Sequence, residues 1–201
     1  MSSVRSDRKF FRILGENLPV LGMGTWRLGD SGDVESDRRS VAALRRGLEL
    51  GMTLIDTAEA YATGHSEELV GEAIKGYDRA QLFIVSKVRQ ERATRQQVVD
   101  AVRASTERLG TYMDLCLLHW PPTDHNLRER MRGLEEAVRN GLTRHVGVSN
   151  FTVELLEEAA SYLSTVQIAA VQNRMSVADK RYVRDVVPYA QRKGMMFMAY
   201  T

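Results

Sequence analysis

Four residues with reactive side chains lie at or just beyond the ends of three apolar, strand-like runs. Asp56 lies in the run TLIDT, and Tyr61 follows it. Lys87 ends the run LFIVSK, and His119 lies in DLCLLHW. If these runs are successive parallel strands, their carboxyl ends meet at one end of one sheet, where α/β barrels keep their chemistry. A phenol beside an ammonium group that is backed by a carboxylate is a plausible proton donor for carbonyl reduction.

Each of the four residues also has an ordinary structural interpretation. Tyr61 could pack at the rim of the sheet, and Lys87 could be a solvated charge. His119 could be a satisfied loop residue beside Trp120, and Asp56 could be a helix cap or a turn residue. Taken singly, none of the four favours a catalytic site over these alternatives.

Seven β-like runs recur along the chain at intervals of 25 to 33 residues, about the length of one strand–loop–helix unit. They begin at Val20, Thr53, Leu82, Asp114, Arg144, Ala169 and Met195. Between them lie six segments with apolar residues at helical spacing. These residues are Val41, Leu44 and Leu48; Leu69, Ala73 and Ile74; Val98, Val102 and Leu109; Met131, Leu134 and Val138; Leu155, Leu156 and Ala159; and Val183, Val186 and Val187.

Alternating strands and helices with nearly continuous apolar strands predict an α/β fold with a parallel sheet covered by helices. No Gly-rich phosphate loop follows the first run, so a TIM barrel of the (β/α)8 type is favoured over an open doubly wound sheet. A closed barrel typically needs about 250 residues. Up to Thr201 the sequence supplies only seven strands and six complete helices. We therefore expect a truncated barrel, from a fragment of a longer protein or from a chain that closes through another chain.

Signals at the ends of these elements agree with this assignment. Thr94 with Gln97 has the form of a capping box. Pro188 should begin the regular part of the last helix, because proline is tolerated only in a first helical turn. The segment FRILGENLPV, before the first run, predicts a hairpin around residues 15–17 that could cap the N-terminal mouth of the barrel. The glycines expected to end helices are Gly51, Gly76, Gly110, Gly141 and Gly194.

Composition is typical of a soluble globular protein, and we expect one domain over residues 1–201. The 28 basic and 26 acidic residues give a net charge of +2 without blocks of like charge, which argues against nucleic-acid and acidic-membrane partners. The single cysteine, Cys116, suits a reducing compartment. The N-terminal MSSVRSDRKFF has no apolar core, and no run approaches the roughly 18 apolar residues of a membrane span. We expect a cytoplasmic protein.

Several separated motifs, taken together, resemble the aldo-keto reductases. They are GMGTW, IDTAEAYATGHSEELVGEAIKG, IVSKV, DLCLLHWP, HVGVSNF and the closing AYT. The resemblance runs from Phe11 to Thr201. It implies a barrel enzyme that reduces aldehydes or ketones to alcohols by hydride transfer from NADPH. It also supports the catalytic interpretation of the four residues above, because they occur in order within these motifs.

The resemblance implies a role for each member of this catalytic set. Tyr61 would donate the proton to the carbonyl oxygen. Lys87 would supply a positive charge that favours proton release from the phenol, and Asp56 would pair with Lys87 and hold it in place. His119 would orient the carbonyl and donate a hydrogen bond to its oxygen. A neutral imidazole is favoured there, because a second cation would compete with Lys87.

The resemblance also implies a cofactor site and a substrate pocket. Ser149, Asn150 and Gln172 would bind the nicotinamide carboxamide, and Tyr200 would stack on the ring. The other residues expected beside the cofactor are Gly24, Thr25, Trp26 and Asp56. The substrate pocket would be formed by Trp26, Tyr61, His119 and Trp120.

These assignments have alternatives of their own. Ser149 and Asn150 could be helix N-caps, and the two tryptophans could be core residues. The basic cluster with which the family holds the adenosine 2′-phosphate would fall beyond Thr201, so the preference for NADPH follows from the resemblance, and NADH is left open. We expect a small carbonyl substrate and a monomer or weak oligomer. His65, His125 and His145 show no partner pattern and no metal-ligand spacing, so we expect no metal.

Two other functional classes are compatible with the sequence. One is an aldo-keto-reductase-like subunit that binds nicotinamide cofactor with little or no turnover. The other is a flavodoxin-like open-sheet binding module, which requires a strand order different from that of a barrel.

Overall fold

The computed structural model describes residues 10–201, so the first nine residues of the N-terminal segment MSSVRSDRKFF, which was predicted to have no apolar core, lie outside the described part of the chain. Seven strands form one parallel sheet in which every strand pairs with the next along the chain. This consecutive order is that of a barrel and contradicts the open-sheet alternative. The strands are β3 (Met23–Gly24), β4 (Leu54–Asp56), β5 (Phe83–Val88), β6 (Met113–Leu118), β7 (Thr143–Ser149), β8 (Ile168–Arg174) and β9 (Met196–Tyr200).

Six α-helices connect these strands, as the apolar spacing predicted. They are α1 (Val34–Glu49), α2 (His65–Ile74), α3 (Arg95–Leu109), α4 (Leu127–Arg139), α5 (Val153–Ser161) and α6 (Val186–Lys193). The capping box of Thr94 and Gln97 is present at the start of α3. All five glycines expected after helices have a positive φ, as the left-handed residue after a helix usually does.

The last helix begins differently from the prediction based on its apolar residues. Asp185 is its N-cap, the helix starts at Val186, and Pro188 lies in the first turn. Val183 precedes the helix and is 43% exposed, so its assignment to the buried helical face was wrong. The Asp185 side chain, which accepts from the Val186 N–H, sets the start of the helix instead.

The sheet is strongly curved, and its two faces are buried in different ways. The outer face packs against the helices in one large apolar cluster. The inner face forms a second cluster that joins residues of distant strands, such as Leu54 of β4 and Met196 of β9. The Gln172 side chain on β8 donates a hydrogen bond to Asp56 on β4 at 3.1 Å. Since four pairing steps separate these strands, this contact requires the sheet to curl into a half-barrel.

An antiparallel hairpin of β1 (Phe10–Ile13) and β2 (Glu16–Pro19) covers the N-terminal end of this half-barrel. Leu18 of the hairpin is buried in the inner cluster beside Leu54 and Phe83, at the starts of β4 and β5. The predicted cap over the N-terminal mouth is therefore confirmed. The turn itself lies at Leu14 and Gly15, one residue earlier than predicted. Both residues have positive φ values, of 55° and 78°, as a two-residue type I′ turn requires.

Candidate active site

The inner face of the half-barrel changes from apolar to polar at the carboxyl ends of its strands. Inward-facing positions alternate along each strand, so the residue two positions beyond the last inner apolar residue lies on the same face. In four strands that residue is polar. The pairs of apolar and following polar residues are Leu54 and Asp56, Val85 and Lys87, Leu117 and His119, and Ala170 and Gln172. The fold therefore brings an acid, an amine, an imidazole and an amide to one end of the sheet.

Lys87 lies at the centre of this group and is 2% exposed. Its Nζ donates to the Asp56 carboxylate at 2.9 Å and to the Thr57 carbonyl oxygen at 2.9 Å. It also lies 3.3 Å from the Tyr61 hydroxyl. The three donors of the ammonium group are thus used by one charge, one carbonyl and one phenol, which holds the ammonium in a fixed position beside the Tyr61 oxygen.

His119 completes the group on the other side of Tyr61. The two rings meet edge to face, with centroids 5.8 Å apart. Burial, together with the positive charges of Lys87 and Arg89, lowers the pKa of His119 to about 4. The imidazole is therefore neutral near pH 7, in agreement with the expectation from the sequence, and it can donate a single hydrogen bond.

Tyr61 lies in a tight loop between β4 and α2. A 3-10 turn spans Tyr61–Gly64, and Ala62, Thr63 and Gly64 all have positive φ values. His65 then begins α2, and its ring nitrogens lie 2.7 Å from the Glu68 carboxylate and 2.8 Å from the Asp37 carboxylate on α1. The prediction that His65 has no partner was wrong. Glu68, three residues further along the helix, was the available signal.

Glu59 forms a second set of contacts that the sequence did not reveal, between the loop that carries Tyr61 and the residues that follow β5. Glu59, buried just before Tyr61, accepts a hydrogen bond from the Arg89 backbone N–H at 2.7 Å and pairs with Arg92 at 2.8 Å. Its own N–H donates to the Lys87 carbonyl oxygen. Glu59 therefore fixes the loop that carries Tyr61 against the end of the strand that carries Lys87.

The residues expected to bind the nicotinamide carboxamide lie together at the ends of β7 and β8. The Asn150 amide donates to the His119 carbonyl oxygen and to the Ser149 hydroxyl, both at 3.1 Å. The Tyr200 hydroxyl donates to the Asn150 side-chain oxygen. Burial raises the pKa of Tyr200. The cap of α5 is Thr152, so the alternative that Ser149 or Asn150 caps this helix was wrong.

The remaining predicted site residues differ widely in their exposure. Thr25 is fully buried, and its hydroxyl is used in bonds to the Asp56 carbonyl oxygen and to Ser66. Gly24 pairs with Asp56 at the edge of the sheet. Trp26 and Trp120 are 69% and 47% exposed. The alternative that the two tryptophans are core residues was therefore wrong.

Neither a membrane-spanning helix nor a cluster of metal ligands is found within residues 10–201. No helix in this part of the chain combines the length and apolarity that crossing a bilayer would need. Over the same residues, no group of three or more His, Cys, Asp or Glu side chains is arranged to hold a metal ion.

The chain matches known proteins over nearly its full length. A model described as the aldo/keto reductase family matches residues 20–201. Methylglyoxal reductase YeaE of Escherichia coli (strain K12) is 38% identical over 197 residues, covering 97% of this chain and 68% of that protein. Methylglyoxal reductase DkgB of Salmonella typhi is 36% identical over 188 residues, covering 91% of this chain and 66% of that protein. The chain thus spans about two thirds of the length of these relatives.

Solved structures show the same similarity. The thermostable aldo-keto reductase Tm1743, in complex with the inhibitor epalrestat, superimposes with a TM-score of 0.90 at 39% identity and covers 96% of this chain and 72% of that one. An aldo-keto reductase from Klebsiella pneumoniae in complex with NADPH gives a TM-score of 0.87 at 36% identity, over 96% of this chain and 67% of that one. This chain belongs to the aldo/keto reductase family.

Proposed function

We propose that this protein reduces aldehydes or ketones to alcohols with NADPH, and that Tyr61 donates the proton. The observation that carries the proposal is the position of the Tyr61 hydroxyl, 3.3 Å from an ammonium group that is itself held by Asp56. Family membership and the NADPH complex of the Klebsiella pneumoniae relative support the reaction and the cofactor. The roles of the individual residues rest on the geometry of this chain.

The proton step follows from the charges around Tyr61. As the carbonyl oxygen becomes negative, the Tyr61 Oη–H transfers its proton to that oxygen. Lys87 stabilises the phenolate that remains, because its ammonium group is fixed next to the same oxygen. Asp56 keeps Lys87 in place, and neutral His119 donates a second hydrogen bond that orients the carbonyl.

The residues at the ends of β7 and β8 fit a nicotinamide carboxamide. A carboxamide needs both a donor and an acceptor. The Gln172 amide nitrogen uses one N–H on Asp56 and has a second to donate. The Asn150 side-chain oxygen can accept beside its bond from Tyr200. Within residues 10–201 the Gln172 side chain uses only its amide nitrogen, in the bond to Asp56, so its oxygen is available to accept from the carboxamide NH2 group. When bound, reduced nicotinamide supplies the hydride. Tyr200 would pack against the ring and fix which face is presented.

The substrate site would lie between the exposed tryptophans. Trp26 follows β3 and Trp120 follows His119, so both lie at the carboxyl end of the sheet and can provide apolar walls. The relatives named methylglyoxal reductases make small aldehydes and ketones the first substrates to test. We further propose a cytoplasmic location, because the only cysteine, Cys116, is a buried free thiol.

The test is to measure NADPH oxidation from the loss of NADPH absorbance, with methylglyoxal and with benzaldehyde as substrates. The 201-residue chain should catalyse it, and Tyr61→Phe should lower kcat by about 10²–10⁴-fold because the proton donor is lost. Tyr112→Phe, which removes a hydroxyl at the opposite end of the sheet, is the matched control and should retain the parent rate. Parent activity that survives in Tyr61→Phe would remove Tyr61 from this role. Cofactor binding without turnover by the parent would support the non-catalytic alternative.

A further inference from the structure

We propose that Arg89 is a specificity-determining residue that binds a carboxylate group carried by the carbonyl substrate. The preferred substrates would then be carbonyl acids rather than neutral aldehydes or ketones. The inference rests on the proposed reduction, and it adds the chemical class of the substrate.

Strand register places Arg89 at the mouth of the site. On β5, inward-facing residues alternate through Val85 and Lys87, and Arg89 is the next position in that series. Val88 pairs with Leu118 on β6, and the His119 N–H donates to the Val88 carbonyl oxygen at 2.9 Å. One step further along both strands, Arg89 lies opposite His119. Arg89 is therefore the next inward-facing position on this side of the site after Lys87, whose ammonium group contacts Tyr61.

The charge of Arg89 is not balanced by the protein. Among the described residues its guanidinium forms no ion pair and no side-chain hydrogen bond, although the residue is partly buried. The nearby cations differ in this respect, because Lys87 is paired with Asp56 and Arg92 with Glu59. A partly buried guanidinium group without a counterion is available to pair with a bound anion.

Two other observations fit a ligand-binding role. The Arg89 backbone is fixed, since its N–H donates to the buried Glu59 carboxylate at 2.7 Å. Its positive charge also reaches the reacting region, because it helps to lower the pKa of His119. A guanidinium group presents two parallel N–H donors, which match the two oxygens of a carboxylate. One unpaired cation suits a singly charged group better than a phosphate.

The experiment compares 4-carboxybenzaldehyde with its methyl ester, methyl 4-formylbenzoate. Both carry the aldehyde opposite an electron-withdrawing carbonyl substituent, and they differ chiefly in charge. We expect kcat/KM of the parent to favour the acid by roughly 10-fold or more, as expected for a hydrogen-bonded charge pair. Arg89→Gln should abolish this preference, mainly through KM for the acid. Arg89→Lys should retain part of it, because a point charge replaces the two-pronged donor.

Arg103→Gln is the matched control, because it removes the same charge from the exposed surface of α3. It should leave the ratio of acid to ester at the parent value. A parent that reduces the ester without preferring the acid would overturn the role of Arg89 and leave the proposed reduction standing. A preference that persists in Arg89→Gln would do the same.

A binding measurement keeps the inference testable if turnover is absent. The tryptophan fluorescence of the protein, which comes from Trp26 and Trp120, can report binding of 4-(hydroxymethyl)benzoate and of its methyl ester. The acid should bind the parent more tightly than the ester does, and Arg89→Gln should remove that difference. Equal affinities in the parent would overturn the inference whatever the activity. Absent turnover with the expected binding difference would instead count against the reductase proposal alone.

Discussion

The two ends of the half-barrel each contain a carboxylate bound to cationic side chains, but they use it differently. At the N-terminal end, Asp114 is fully buried and accepts from Arg79, from Arg144 and from the Ile84 N–H. Arg144 also pairs with Glu16 of the hairpin. Both oxygens of Asp114 are thus occupied by the protein, and the cluster fastens β6 and β7 to their surroundings.

At the carboxyl end, the pair of Asp56 and Lys87 leaves capacity for a reactant. The Tyr61 hydroxyl has only Lys87 as a partner among the described residues, and neutral His119 makes no side-chain hydrogen bond there. An ion pair whose neighbours are all satisfied can contribute to stability alone, whereas one that holds a partly satisfied phenol can support proton transfer. The comparison predicts that removing each pair will damage a different property.

The largest expected effect is loss of activity in Lys87→Met. Met fills much of the volume of the lysine stem but removes the charge that stabilises the Tyr61 phenolate, so kcat should fall about 10²–10⁴-fold. Stability should fall less than in the Asp114 variant described next. Asp56 is partly accessible to water and keeps its hydrogen bond from Gln172. Steady-state kinetics and thermal unfolding on the same samples test both statements; a variant that retains parental kcat would contradict the catalytic role.

Asp114→Asn should show the opposite pattern. Loss of this buried charge leaves Arg79 and Arg144 without their shared partner and should cost about 3–5 kcal/mol in free energy of unfolding. The kcat of the molecules that remain folded should stay at the parental value, because the cluster lies at the far end of the sheet. Urea unfolding, with kinetics at a temperature where the variant is folded, measures both. A variant with parental stability would show that the cluster does not fasten this end.

The same comparison shows what the sequence could predict. Strand positions were predictable because short, nearly continuous apolar runs are typical of parallel strands buried on both faces, and this placed Lys87 at a strand end. The turn at Leu14 was not predictable, since a leucine with positive φ is uncommon and carries no sequence signal. Val183 was misassigned because its spacing fits a helix that Asp185 begins only later.

Long-range polar contacts were the other feature that the sequence could not predict. The Asp114 cluster joins residues that lie 30 and 35 positions apart, and the contact between Gln172 and Asp56 spans 116 positions. Hydrophobic periodicity carries no information on which charged side chains meet. The motifs of the family marked the reactive end of the sheet, whereas nothing in the sequence marked the structural cluster at the other end.

A smaller expected effect is a dependence of the free energy of unfolding on pH that arises at the reactive end of the sheet. The pKa of His119 is about 4 in the folded protein, below the ordinary value of 6.5. Between those pH values the unfolded chain binds a proton on this group and the folded chain does not, so stability falls on acidification. His119→Gln should remove that part of the loss, up to about 3 kcal/mol between pH 7 and pH 4. Urea unfolding across this range measures it; equal pH slopes in parent and variant would show that His119 is not held neutral.

The smallest expected effect concerns His65, which should respond to pH in the opposite direction. Hydrogen bonds to Glu68 and then to Asp37 raise the pKa of His65. The charged imidazole therefore contributes stability fully below the ordinary pKa of about 6.5, and that contribution is lost as the pH rises through the higher folded-state pKa. His65→Gln should lower Tm at pH 5.5 by about 2–4 °C, the change that 1 kcal/mol produces in a chain of this size, and by less at pH 9. A larger loss at pH 9 than at pH 5.5 would contradict a charged link between α1 and α2. Because this link lies at the start of the helix that follows Tyr61, its loss should also show whether the loop geometry at the reactive end depends on it.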